Sequence, residues 1–219
     1  MSREVLVVEN VLRVNDELAK LLRRQLTEKR IFTVNLMGAP GCGKTALLEK
    51  TLEALAGEMR LAVMVGDLTT ARDAQRMSKW CDQVVQINTG KGCHLEANHV
   101  LLAMDKIDLT RVDLLFIENV GNLICPVGFD LGQDVKVGMF SVAEGDDKPA
   151  KHPYIVAEAA ALILNKMDLL PYVPFRKEIF DEDVRRLNAK APLFEISVTS
   201  GAGIDGWLDW LRAGRANKT

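Results

Sequence analysis

Cys93 and His94 stand side by side in "NTGKGCHLEANHV" (88–100), between a glycine-rich turn and an apolar helical stretch, in a chain with only four cysteines and three histidines. A thiolate beside an imidazole suits Zn2+ or Ni2+ better than Mg2+ or Ca2+, which prefer oxygen. A third donor of this kind, Cys125, lies in "ENVGNLICP" (118–126). The placement of Cys93 at the start of a helix expected over 94–106 predicts that the helix dipole lowers its pKa and favours the metal-binding thiolate. If the strands expected over 82–88 and 113–118 are sheet neighbours, both loops emerge at one edge and the donors converge. Three ligands leave a tetrahedral site one short, to be completed by water, by a neighbour such as Glu96 or by a second subunit. Spacing alone equally allows two cysteines that are buried small hydrophobes. His99 falls on a different helix face from His94, His152 reads as a solvated loop residue, and Cys81 reads as packed.

A second chemistry is written in "GAPGCGKT". Gly38, Ala39, Pro40, Gly41, Cys42, Gly43, Lys44 and Thr45, with Ala46 following, meet the Gly-x4-Gly-Lys-Thr pattern after an apolar strand and before a helical stretch. Glycines there let backbone N–H groups turn inward around phosphates, and the helix N-terminus adds partial positive charge. Lys44 is placed to reach the β and γ oxygens, and the Thr45 hydroxyl to reach Mg2+. Cys42 reads as a small residue that fits the loop. Far downstream, Asn165-Lys166-Met167-Asp168 resembles the guanine-recognition motif of GTPases. The Asp168 carboxylate can accept from guanine N1–H and its exocyclic amine, a donor pair that adenine lacks, and such polar matching discriminates strongly. "SVTSGAG" (197–203), beginning at Ser197, reads as a further backbone loop against the base. Asp67 and Glu118 at strand ends, with Asp73 near a helix start, supply the oxygens a hard cation wants. Glu118-x-x-Gly121 resembles a GTPase switch motif with Glu in place of Asp. No residue stands out as a general base for water, so slow intrinsic hydrolysis is expected.

These groups need a scaffold. Short apolar runs at 32–38, 61–67, 82–88, 113–121, 135–142, 160–166 and 193–198 alternate with helical patterns, which predicts a doubly wound, mostly parallel α/β sheet covered on both faces. Residues 5–29 carry apolar positions at helical spacing and predict an amphipathic N-terminal helix within residues 1–30. At 219 residues, with no composition shift along the chain, one domain over 1–219 is expected. The polar stretch 144–153 and the proline-containing 169–175 read as loops. A net charge of −2 from 28 basic and 30 acidic residues offers no broad positive field for nucleic acid or an anionic membrane. Apolar runs fall well short of the ~20 residues that span a bilayer, and "MSREVLVVENVL" lacks a cleavable-signal pattern. A cytoplasmic protein with reduced thiols is expected.

Taken in order, "GAPGCGKT", "GDLTTARDAQR", "NTGKGCHLEA", "LLFIENVGNLICP", "FSVAEGDDKPAKHP" and "LILNKMDLLPY" resemble the HypB family of hydrogenase nickel-incorporation GTPases. "GCHL" and "ENVGNLICP" are not shared by GTPases generally. The resemblance implies a P-loop NTPase that binds GTP or GDP with Mg2+ and forms a homodimer. It also implies that Cys93, His94 and Cys125 bind Ni2+ or Zn2+ near the subunit interface. The partners implied are a HypA-like accessory protein and the hydrogenase large subunit precursor. Lys148 and Lys151 fall in the matched 144–153 stretch and would reach the partner's nucleotide in such a dimer. Two departures are visible. Residues 1–30 hold no cysteine or histidine, which argues against high-capacity nickel storage. The related urease accessory GTPase reads Cys-Pro-His where Cys93 and His94 are adjacent here. Alternatives are a GTPase serving another metallocentre, urease-type or cobalamin-type, and a nucleotide-gated scaffold with structural cysteines.

Overall fold

The computed structural model describes residues 12–67 and 72–218, with backbone only at 72 and 73. Seven strands, β1 (Phe32–Gly38), β2 (Leu61–Asp67), β3 (Gln83–Asn88), β4 (Leu114–Glu118), β5 (Val135–Ser141), β6 (Ala161–Asn165) and β7 (Leu193–Glu195), form one sheet in the order β3-β2-β4-β1-β5-β6-β7. Every pairing is parallel. All seven fall within the apolar runs of the sequence. β1 lies at the centre and is buried at every position, as expected of a strand covered on both faces.

On one face pack α2 (Lys44–Leu55), α3 (Arg72–Met77) and α8 (Ile204–Ala216), through Leu47, Leu48, Leu52, Met77, Trp207 and Leu211. The other face is covered by α1 (Arg13–Glu28) and α4 (Ala97–Met104), through Leu22, Leu26, Val100 and Met104, and farther along by α6 (Pro153–Ala157) and α7 (Lys177–Leu187). Alternation along β1 sends Val34 and Leu36 to the first face and Met37 to the second. Expected residues 5–11 of the N-terminal helix lie outside the described residues; the remainder is α1. The 144–153 and 169–175 stretches, expected to be loops, carry helical turns at Val142–Glu144, Lys148–Lys151 (α5) and Met167–Tyr172. Pro149 and Pro153 occupy first-turn positions, where the missing N–H costs little, whereas Pro171 lies inside the turn Met167–Tyr172. No described helix is long and apolar enough to cross a membrane.

Just before β4, Asp113 ties the strand to two other elements. Its carboxylate accepts from the Arg60 backbone N–H (3.0 Å), Arg60 Nε (2.9 Å) and Nη2 (2.8 Å), and Arg215 Nη2 (2.9 Å). Hydrogen bonds from the Arg60 and Arg215 guanidiniums hold the carboxyl well below its ordinary 3.8. A depressed folded pKa gives stability that is complete above the unfolded value and is lost as pH falls through the folded one. Asp113→Asn is therefore expected to cost about 1–2 kcal/mol at pH 7, or roughly 2–8 °C in Tm at this chain length. Thermal melts should show that difference shrinking as the pH drops below 3.8.

Candidate functional site: a nucleotide cleft beside a thiol–imidazole cluster

The C-terminal ends of β1, β2, β4 and β6 open on one edge, where doubly wound sheets bind ligands. β1 ends at Gly38 and α2 begins at Lys44, so the intervening loop wraps the helix N-terminus. Gly43 adopts φ +108°, and a Cβ there would sit 2.4 Å from Asn165 Nδ2; only glycine fits. Lys44 is 6% exposed, and its ammonium donates to the Gly38 (3.0 Å) and Ala39 (3.1 Å) carbonyls. Thr45 Oγ1 donates to Glu118 Oε1 at 2.7 Å, bringing together two of the oxygens expected for a hard cation. Pro40, Lys44, Thr45, Asp67, Arg76 and Glu118 are among the residues lining a cleft of about 440 Å³. Gly41 and Ala46 line it too. Asp73 lies on α3, and its side chain is outside the described residues. Burial pushes the Cys42 thiol up to about 11, which fits a small packed residue.

The base motif is braced to this loop. Asn165 Nδ2 donates to the Cys42 carbonyl (2.9 Å), and its Oδ1 accepts the Val198 N–H (3.2 Å). Lys166, at a left-handed φ of +61°, donates to the Gly41 carbonyl (2.7 Å). Ser197 Oγ donates to Asp168 Oδ1 at 2.5 Å. Asn165 and Lys166 thus contact the phosphate loop, while Asp168 and Ser197 are paired with each other.

Cys93, His94 and Cys125 also converge: one ligand atom from each lies within 4.8 Å of the others. Cys93 is exposed, while Cys125 is partly buried. His94 stacks on Phe129 with ring centroids 3.8 Å apart. Its Nε2 is buried without a hydrogen bond, 3.6 Å from Glu96 Oε1. The ring nitrogen turned toward the thiols is the other one, Nδ1, 3.5 Å from Cys93 Sγ, and an imidazole nitrogen beside two sulfurs fits a borderline divalent cation.

Two expectations about this cluster need correction. The strands before the two loops are not neighbours, because β2 lies between β3 and β4. Convergence arises instead because the 89–96 loop folds back across the end of β2, where Leu95 packs against Gly66. Nor does Cys93 start a helix. α4 begins at Ala97, with Glu96 at its N-cap and His99 closing the capping box by accepting the Glu96 N–H (3.1 Å). The Cys93 pKa is raised rather than lowered, first through a hydrogen bond with the Cys125 thiol and then by burial. His99 is accordingly structural. Cys81 is buried and donates to the Leu61 carbonyl. His152 is half-buried rather than solvated, with its pKa lowered by burial and then by Lys148 and Lys151.

Several site residues were not singled out from sequence. Arg76 lines the cleft and donates from Nε to Glu49 Oε1 (3.0 Å). Glu144 accepts the Ser141 N–H (3.3 Å) and is raised by burial despite nearby Lys148, Lys166 and Lys44. Asn122 accepts from the Ile124 and Cys125 N–H groups, and its own N–H donates to the Gly38 carbonyl (3.0 Å). The segment bearing Cys125 is therefore pinned to the first glycine of the phosphate loop. A polar amide in the turn that follows a strand end, as in "ENVGN", was the available signal.

The fold and the cleft are those of a P-loop nucleotide-binding protein. Residues 32–195 match the CobW/HypB/UreG nucleotide-binding domain. Escherichia coli hydrogenase maturation factor HypB is 44% identical over 98% of this chain and 74% of its own length. The crystal structure of HypB from Archaeoglobus fulgidus superposes with a TM-score of 0.88 at 40% identity, covering 93% of this chain and all of that one. HypB from Helicobacter pylori, crystallised in complex with nickel, gives 0.88 at 34% identity over 93% and 95% of the two chains. The chain belongs to the HypB family of hydrogenase maturation factors.

Proposed function

We propose that this protein is a metal-binding GTPase that assists nickel insertion into [NiFe]-hydrogenase, coupling GTP binding and hydrolysis to metal handling. The observation that carries this reading is the path from Glu118 to Cys125. The carboxylate bonded to Thr45 and the thiol of the metal cluster lie on one segment, which is hydrogen-bonded to Gly38 through Asn122. The nickel-bound relative supports Ni2+ as the cargo of Cys93, His94 and Cys125; Zn2+ shares these ligand types. Asp168, Asn165, Lys166 and Ser197 would read guanine, and Lys44 with the loop amides would hold the phosphates. Thr45 and Glu118, with Asp67 and Asp73, offer oxygens to Mg2+, which would neutralise phosphate charge. Closure of the Glu118 segment on a γ-phosphate would reset the Cys125 position, and hydrolysis would relax it. The setting proposed is cytoplasmic, as a homodimer working with a HypA-like protein and the hydrogenase large subunit precursor.

Ni2+ affinity should differ by about tenfold between protein saturated with a slowly hydrolysed GTP analogue and with GDP, a typical coupling of ~1.4 kcal/mol. Competition against a chromophoric chelator reads it. Equal affinities would reject the coupling.

A further inference from the structure

The Glu118 segment reaches Cys125 along the chain, but the other two donors lie on a separate loop. Asn119 connects them. This residue directly follows Glu118 and is 1% exposed. Its backbone N–H donates to the Leu36 carbonyl at 3.0 Å. Its side-chain Oδ1 accepts the N–H of Val120 (3.0 Å) and that of Leu95 (3.2 Å), the residue joined to His94. Its Nδ2 donates to Asn35 Oδ1 (3.2 Å) inside the sheet. Leu95 itself is fully buried, and its side chain lies against Gly66, where a Cβ would come within 2.9 Å. With no slack on either side, a shift of Asn119 must carry Leu95 or leave a buried N–H unpaired, which costs about as much as a lost hydrogen bond.

On its far side the same loop is held independently. Asn15 of α1 accepts the Ala97 N–H (2.8 Å) and donates to the Asp130 carbonyl (2.9 Å), next to the Phe129 ring that stacks on His94. The His94 loop is thus strung between two buried asparagines, of which only Asn119 belongs to the nucleotide cleft.

Building on the nucleotide–metal coupling proposed above, we infer that Asn119 is the positioning residue that transmits the nucleotide state to the Cys93–His94 arm. Its buried carboxamide moves Leu95, and with it the imidazole, whenever the Glu118 segment moves. Asn15 supplies a fixed anchor that does not sense nucleotide. This divides the metal cluster into two arms driven by adjacent residues: Cys125 through the Glu118 chain segment, and Cys93 with His94 through the Asn119 side chain.

The test measures Ni2+ affinity by chelator competition on the full chain, saturated in turn with GDP and with a slowly hydrolysed GTP analogue. The readout is the ratio of the two affinities, which a merely structural role would leave unchanged. Asn119→Ala should cut a ratio of about tenfold to roughly threefold, the share left to the Cys125 arm. Asn15→Ala should lower affinity in both states alike and keep the ratio. A wild-type ratio in Asn119→Ala overturns the inference, as does collapse of the ratio in both variants. If Asn119→Ala fails to fold, Asn35→Ala removes the anchor of the Asn119 amide from inside the sheet, and an unchanged ratio there overturns it equally. A wild-type ratio of one rejects the coupling itself and this inference with it. That outcome is distinguishable, because it appears before any substitution is made.

Discussion

Lys44→Met should weaken GTP and GDP binding by roughly two to three orders of magnitude. The lysine ammonium is buried at the mouth of the phosphate loop, held by the Gly38 and Ala39 carbonyls. It is therefore aimed before any ligand arrives, and little side-chain entropy remains to be lost. Truncating one partner of a desolvated charge pair costs about 2–5 kcal/mol, and each ~1.4 kcal/mol is tenfold in affinity. Methionine matches the apolar stem of lysine while removing the charge and its donors. Titration with a fluorescent guanine nucleotide reads the loss, and a far-ultraviolet circular dichroism melt separates it from unfolding. A decrease under about fivefold would mean that the loop amides alone hold the phosphates.

A larger loss, about four orders of magnitude, is expected on the metal side for the double substitution Cys93→Ala, Cys125→Ala. A four-ligand zinc site is worth about 10–16 kcal/mol, so one thiolate carries roughly 3 kcal/mol, or about a hundredfold in affinity. Removing both leaves His94 and the nearby Glu96, a pair unable to compete with a chelator of micromolar affinity. Chelator competition with Ni2+ and with Zn2+ should show the site lost for both ions. Unchanged metal affinity would show that the thiols are not metal ligands. Guanine-nucleotide affinity measured on the same sample reports whether the cleft survives.

The strands were legible because a parallel sheet covered on both faces demands continuous apolar runs, and each run from 32–38 to 193–198 became a strand or contains one. The phosphate loop was legible for a different reason: backbone geometry requires a glycine at Gly43, as its contact with Asn165 shows, and phosphate charge calls for the lysine beside it. Less visible was the lateral order of the strands, since no local pattern says that β2 inserts between β3 and β4. The convergence of Cys93 with Cys125 could be posed from sequence but was posed on the wrong neighbour. The start of α4 was misplaced by the apolar Leu95, which is buried by the loop's return over Gly66 and not by the helix. Asn119 and Asn15 were missed because an asparagine in sequence is most often a turn or cap residue. Only tertiary structure shows their amides buried and bonded to distant backbone.

Asn165 and Lys166 are bonded to the carbonyls of Cys42 and Gly41, so the parts proposed to face the two ends of a nucleotide are already assembled as one rigid piece. A ligand that engages by either end finds the other receptor waiting at the correct separation. The entropy of arranging it was spent during folding. Both ends together should consequently bind as a chelate does, far more tightly than a free base and a free phosphate mixed in solution.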